Sequence, residues 1–445
     1  MSPSNKLRST LLNILLSQRV RAMKRGVAEL RRKLTGRPHV VTAFLELDDP
    51  YSYLLSLYLP QLQAHYDVEL RICLTPSMGD SYKPRPEMLA EYAVTDCERV
   101  ARELGVPFLD KGSTPPVEHR RALLDALASN AGSPGFGAEL FEALAAYWRG
   151  DVDAVRRRAE TAAEPGSASA TLDSNQRLLL RLGHYNAATL YYGGEWYWGV
   201  DRLHYLTSRL DELGANREGK PNPQLASIGQ AMQVALPVRP PAAAKDLPPL
   251  EIFHSLRSPY SYLSLRRAFE AADAFGLKLV IRPILPMVMR GMKVPRKKLI
   301  YIANDTKRES ERLGIPFGHI ADPVGSGVER CLAVFNYACG EKKERDFLIN
   351  VGEAIWAQAI DVATDKGMRE VAARTGLFWP DVVKAMQDDG WRDGIEQNRE
   401  SMMESGSWGV PTLRMGDFVV WGQDRIWLLV RHVEELCETG DGILI

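Results

Sequence analysis

The stretch Arg257-Ser258-Pro259-Tyr260-Ser261-Tyr262-Leu263 decides the reading of this chain. It follows Leu250-Glu251-Ile252-Phe253-His254-Ser255-Leu256, whose alternation suits a half-buried strand, and leads into residues 263–275, where apolar side chains recur at helical spacing. The stretch is therefore a strand-to-helix turn. Ser258 suits the N-cap, because its hydroxyl can accept from an orphan backbone N–H, and Pro259 suits the first helical position, where its missing N–H costs nothing. Such a turn gathers free N–H groups at the positive end of a helix dipole, an environment that favours an anion, a thiolate included. Capping alone also explains a Ser-Pro pair, so the rest of the chain has to separate the two readings.

Working outward, the same pattern is found 209 residues earlier. Asp49, Tyr51, Tyr92, Asp96 and Pro107 stand at that offset from Ser258, Tyr260, Tyr301, Asp305 and Pro316, and Leu104-Gly105-Val106-Pro107-Phe108 returns as Leu313-Gly314-Ile315-Pro316-Phe317. Further on the offset becomes 223: Thr189 with Thr412, Gly193 with Gly416, Trp198-Gly199 with Trp421-Gly422, and Asp201-Arg202 with Asp424-Arg425. The chain reads as a tandem duplication with 14 additional residues in the second copy. A period this long means two domains, unlike the short repeats of solenoids.

The first copy predicts a strand over 40–47, a turn at Asp48-Asp49-Pro50-Tyr51-Ser52-Tyr53, a helix over 54–65 and a strand over 68–74, the order of a βαβ unit. Long helical patterns occupy 87–182, interrupted by Gly/Pro/Ser stretches near 113–116 and 164–169. A hairpin over 189–198 around Gly193-Gly194 and a closing helix over 201–213 follow. The proline-rich segment 216–248 reads as a linker, extended where prolines crowd. The expected organisation is thus residues 1–38, a first domain over 39–215, the linker, and a second domain over 249–438.

The 445 residues carry equal numbers of Lys+Arg and Asp+Glu, so no global field points to nucleic acid. Residues 1–38 differ, with ten Lys or Arg against one acid, Glu29. There Leu7, Leu11, Ile14, Met23, Val27, Leu30 and Leu34 fall on a helical stripe among arginines and lysines, a basic amphipathic helix or pair of helices. The pattern leaves three readings open: peripheral contact with an anionic membrane, a transit peptide, and docking on the acidic remainder of the chain. Five cysteines form no C-x-x-C and no metal-ligand spacing with the eight histidines, which argues against a zinc site and a dithiol redox centre. An odd count without close pairs suits a reducing compartment, the cytoplasm.

Before the second hairpin stands Trp408-Gly409-Val410-Pro411-Thr412, where Val410–Pro411 is a candidate cis peptide. Together, Ser258-Pro259-Tyr260-Ser261-Tyr262, a helical insertion that includes residues 295–305, then Gly409-Val410-Pro411-Thr412, a hairpin and Trp421-Gly422-Gln423-Asp424-Arg425 resemble the thioredoxin-fold group of 2-hydroxychromene-2-carboxylate isomerases and kappa-class glutathione transferases, itself similar to DsbA. The resemblance covers residues 250–437 and, more weakly, 39–213. It implies an α/β protein of two tandem DsbA-like thioredoxin domains, with glutathione as cofactor. It also implies that Ser258 stabilises the glutathione thiolate, that Val410 and Pro411 hold the cysteinyl backbone, that Asp424 and Arg425 bind the γ-glutamyl end, and that Lys298 and Asn304 line the site. The implied substrate is a small electrophile such as an aromatic chromene carboxylate, which Trp408, Trp421 and Trp427 could accommodate, although tryptophans more often serve packing. Tyr260 and Tyr262 read as pocket wall or core rather than as catalytic groups.

The first copy departs from the pattern at Asp49, in place of the serine, and at Ala188, in place of Pro411. A carboxylate beside a thiolate disfavours it, and without proline a cis bond at 187–188 is costly, so an inactive first domain is expected. Because such proteins are commonly homodimers, the two copies are also expected to form an intramolecular pseudo-dimer. The competing reading is a non-catalytic thioredoxin-fold binding or assembly protein that captures peptides at the Pro411 edge.

Overall fold

The computed structural model describes residues 3–78, 82–108, 110, 115–133, 135–160, 166 and 168–439. The chain divides into two compact units, one of residues 22–233 and the other of residues 1–21 with 234–445. Each contains one four-stranded sheet.

In the unit 22–233 the strands are β1 (His39–Leu45), β2 (Val68–Leu74), β3 (Thr189–Tyr192) and β4 (Glu195–Trp198), in the order β2-β1-β3-β4. β1 and β2 run parallel, whereas β3 and β4 are antiparallel to their neighbours. The crossover between β1 and β2 is helical, as a parallel pair requires. It consists of two short helices, Pro50–Ser56 and Leu59–His65, where the sequence predicts one. Pro60, which cannot donate to the preceding turn, stands at the start of the second. The β3–β4 turn uses Gly193 and Gly194 at φ 51° and 88°, the left-handed pair that a tight hairpin needs. Among the described residues, five helices between Pro86 and Leu182 form the insertion. The interruptions expected near 113–116 and 164–169 fall largely outside the described residues.

In the other unit, β5 (Leu250–His254), β6 (Leu279–Pro283), β7 (Thr412–Met415) and β8 (Phe418–Trp421) take the corresponding order β6-β5-β7-β8, with the same parallel and antiparallel pairs. Residue for residue, the registers repeat. Thr42 opposite Tyr191 becomes Glu251 opposite Arg414, and Thr189 opposite Trp198 becomes Thr412 opposite Trp421.

Two expectations need correction. β5 is buried at every residue and is not half-exposed; its two polar side chains are accommodated by pairing Glu251 with Arg282 and Arg414 and by keeping His254 uncharged. The segment 216–248 is not simply extended. It contains a helix, Pro223–Ala231, that Asn222 caps by accepting from Gln224 N–H (3.0 Å) and Leu225 N–H (3.1 Å), and a 3-10 turn at Ala242–Asp246. The basic N-terminal segment is two helices, Pro3–Leu16 and Gln18–Leu34, broken at Ser17, whose hydroxyl donates to the Ile14 carbonyl (2.7 Å). Ser hydroxyls that bond the local backbone in this way compete with helix continuation.

Candidate active site

Ser258 occupies the N-cap predicted for it. Its backbone is extended (φ −101°, ψ 114°), Pro259 opens the helix Pro259–Phe275, and its Oγ accepts from the Ser261 N–H at 3.1 Å. The hydroxyl proton points at the Val410 carbonyl 3.4 Å away, at the limit of a hydrogen bond. Val410–Pro411 is a cis peptide. The sequence-distant Pro411 loop is thereby set against the helix N-terminus, and Val410 packs on Phe253, Ile284 and Met402 of the core. Thr412 fixes the loop from its other side: its Oγ1 donates to the Gly409 carbonyl (2.7 Å) and lies 2.6 Å from Ser407 Oγ.

Beneath this junction, His254 is fully buried at the end of β5. Burial pushes its imidazolium down to about 3, so the ring is neutral at ordinary pH. Tyr260, two residues into the helix, donates to Asp305 at 2.8 Å, and Arg308 holds the other oxygen of Asp305 at 2.7 Å. Tyr262 donates to the Pro316 carbonyl at 2.8 Å. Both tyrosines therefore tie the Ser258 helix to the helix Arg296–Leu313 and its exit loop. The same pair exists in the other unit, where Tyr51 donates to Asp96 at 2.8 Å, although Asp49 stands there in the place of Ser258. A contact that persists without the serine is structural.

Lys298 lies seven residues before Asp305 on the same face of its helix, about 10 Å along the axis. It is half-buried, and burial lowers its ammonium to about 8. Asn304 lies off that face, exposed, with its amide donating to the Ile300 carbonyl of its own helix at 2.8 Å. The structure thus separates two residues that the resemblance pairs.

Asp424 and Arg425 belong to a 3-10 turn, Gln423–Arg425, that precedes the helix Ile426–Thr439. Arg425 is buried and its Nη1 donates to the Asp424 carbonyl at 3.3 Å. Gln423, given no role by the sequence reading, is the hub of this region. Its amide nitrogen donates to Glu309 at 2.9 Å and also to Asp424, while Arg267 donates to its carbonyl oxygen (2.9 Å) and to its Oε1 (2.8 Å). The motif Trp-Gly-Gln-Asp-Arg pointed to this turn, but partners more than a hundred positions away have no local signal. Of the tryptophans, Trp427 is fully buried and Trp408 packs against Trp421 with ring centres 5.0 Å apart, so packing accounts for all three.

At the corresponding place in the other unit, Asp49 takes over the cap with nearly the same backbone (φ −102°, ψ 113°) and the same 3.1 Å bond, from Ser52 N–H. Burial raises its carboxyl above the usual range, against the opposing pull of Lys83. Lys83 pairs with buried Glu46 at 2.8 Å, and the Glu46 carboxyl is likewise raised by burial. Ala188 is left-handed at φ 53°, a conformation closed to proline, and the peptide before it is trans. Its carbonyl still accepts from Gly199 N–H (2.7 Å), as that of Pro411 accepts from Gly422 N–H (2.8 Å).

Residues 249–434 match the family described as the DSBA-like thioredoxin domain. The C-terminal half is a DsbA-like thioredoxin domain homologous to 2-hydroxychromene-2-carboxylate isomerases. The isomerase of Pseudomonas putida is 24% identical over 200 residues, covering 42% of this chain and 95% of that protein. That of Pseudomonas sp. (strain C18) is 22% identical over 196 residues, covering 41% and 89%. A solved 2-hydroxychromene-2-carboxylate isomerase is 23% identical, covering 43% of this chain and 96% of its own, with a TM-score of 0.37.

Proposed function

We propose that the unit 234–445 carries a glutathione-dependent isomerase site of the 2-hydroxychromene-2-carboxylate isomerase type, and that the unit 22–233 is a second, non-catalytic thioredoxin-like copy. The observation that carries the first part is the meeting of the Ser258 hydroxyl, a helix N-terminus and the cis Val410–Pro411 backbone within 3.4 Å. The second part is supported by the matching strand order and registers and by Asp49 and Ala188 at the two decisive positions.

In this reading Val410 and Pro411 would hold glutathione and Ser258 would serve its sulfur. The hydroxyl proton is loosely committed to the Val410 carbonyl, so it can turn to the sulfur while Oγ keeps accepting from Ser261 N–H. A donor at the thiolate together with the helix dipole lowers the thiol pKa. A thiolate held there would supply a nucleophile for an electrophilic carbon of the substrate and would be regenerated on leaving, with no oxidant or reductant consumed. Transferase chemistry would begin identically and differ in keeping the C–S bond. Asp424 can pair with the γ-glutamyl ammonium, and buried Arg425 offers a guanidinium for a carboxylate.

Calorimetric titration of the full chain with reduced glutathione tests the proposal. Wild type is expected to bind saturably and to develop the ultraviolet absorbance of a thiolate. Ser258→Ala should retain binding but lose the thiolate signal and on the order of 100-fold in isomerase turnover. Asp424→Asn should lose binding with an unchanged melting temperature. No saturable binding at millimolar concentrations would reject glutathione dependence.

A further inference from the structure

The helix Gln18–Leu34 is held the opposite way round from an ordinary surface helix. Its half-buried face is polar: Arg25 pairs with Glu195 through two bonds (3.0 and 2.8 Å), and Arg32 with Glu29 (2.8 and 2.7 Å). The ion pair at Glu195 is well set, since the arginine outweighs burial and holds that carboxyl below its ordinary range. Met23, Val27, Leu30 and Leu34, at i, i+4, i+7 and i+11, face solvent at 62%, 62%, 58% and 78% exposure. Water is therefore offered the stripe that amphipathic helices normally bury. Arg19, Lys24, Arg31 and Lys33, all exposed, border it.

The neighbouring helix Pro3–Leu16 shows the same inversion on its own unit. Ser9 and Leu16 are buried and Asn13 contacts His319 (2.8 Å), while Leu11, Ile14 and Leu15 are more than half exposed. Among the described residues no helix is long and apolar enough to cross a membrane.

We propose that the helix Gln18–Leu34 is a membrane-surface anchor that lies flat on an anionic bilayer, with Met23, Val27, Leu30 and Leu34 at the acyl boundary and Arg19, Lys24, Arg31 and Lys33 at the level of the lipid phosphates. Charge decides the occupant. A second copy seated on this stripe would bring two rows of cations together, whereas anionic headgroups neutralise them and long basic side chains can reach the phosphates while their stems stay apolar. The polar face already has its partners in the protein, so lipid contact requires no rearrangement of the helix.

The test is sedimentation of the full chain with phosphatidylcholine vesicles, with and without phosphatidylglycerol. Wild type should pellet with the anionic vesicles and stay largely in solution with the neutral ones. Replacing Lys24, Arg31 and Lys33 together by Gln should weaken partition on the order of 100-fold, and so should raised salt in proportion. A second variant with Met23, Val27, Leu30 and Leu34 all replaced by Gln should lose binding by at least about 100-fold, with its circular dichroism unchanged because these side chains are largely exposed. Wild type that stays in solution with both vesicles would overturn the proposal. So would a lipid-free dimer in sedimentation velocity that the stripe variant abolishes, since the stripe would then serve a second copy.

Discussion

Ser258 and Asp49 form a natural substitution experiment within one chain. Their backbone angles agree within a degree and each accepts the same 3.1 Å bond, so the local task of starting a helix is met equally by hydroxyl and carboxylate. They differ in what they offer to a sulfur. The hydroxyl can donate to a thiolate, whereas the carboxylate can only repel one when ionised. Ser258→Asp should therefore leave the melting temperature within a few degrees of wild type, while Ser258→Ala, which loses the cap, should cost about 1 kcal/mol. In a thiol titration with bound glutathione, Ser258→Asp should raise the sulfur pKa above that of Ser258→Ala. An aspartate variant with a thiolate as stable as wild type would remove Ser258 from the mechanism. At this scale local chemistry was legible: Ser-Pro after an apolar strand specifies a cap without any tertiary information. Gln423 was not, because its roles with Glu309 and Arg267 depend on chain segments that only the fold brings together.

Among the elements, the loop before β7 depends most on its neighbours. Gly409 has no room for a side chain, since a Cβ there would lie 2.4–2.5 Å from the Trp421 indole of β8. Trp421 is itself packed on Trp408, so the ring cannot swing aside freely. Gly409→Ala should destabilise the unit by about 1–3 kcal/mol, as overpacking does, and should weaken glutathione binding as well, because the displaced loop carries Val410. The measurement is a pair, thermal melting and calorimetric titration. A variant that is destabilised yet binds glutathione normally would show that loop position and ligand binding are uncoupled. The strand β5 marks the limit of periodicity. The alternation along 250–256 suggested a half-buried strand, yet Glu251 and His254, on opposite faces, are both buried. Burial opposes the charge of Glu251, and bonds from Arg414 and Arg282 outweigh it and hold the carboxyl below its ordinary range. Such a compensation across three strands is invisible to a pattern read along one.

For the whole molecule, repetition was the most informative signal. Matches at offsets of 209 and 223 anticipated sheets whose registers agree pair by pair, because register is set by which residues face the core and duplicated patterns set it twice. The same comparison predicts how many ligands one chain takes up. At the first copy's counterpart of the sulfur position, Asp49 stands with a carboxyl raised by burial, close to buried Glu46 and Lys83. At its counterpart of Pro411, Ala188 is left-handed at φ 53°, a conformation that proline does not adopt. Asp201 and Arg202 persist, and Arg202 is buried with Nη1 3.5 Å from the Asp201 carbonyl, so the arginine end of the motif is retained without the sulfur end. Glutathione should accordingly bind with a stoichiometry of one per chain, and Ser258→Ala should remove all thiolate absorbance. Converting Asp49→Ser alone should restore no second site, since the Ala188 backbone remains wrong for it. A wild-type stoichiometry of two, or thiolate signal that survives Ser258→Ala, would mean that the first unit binds and activates the thiol by a different set of groups.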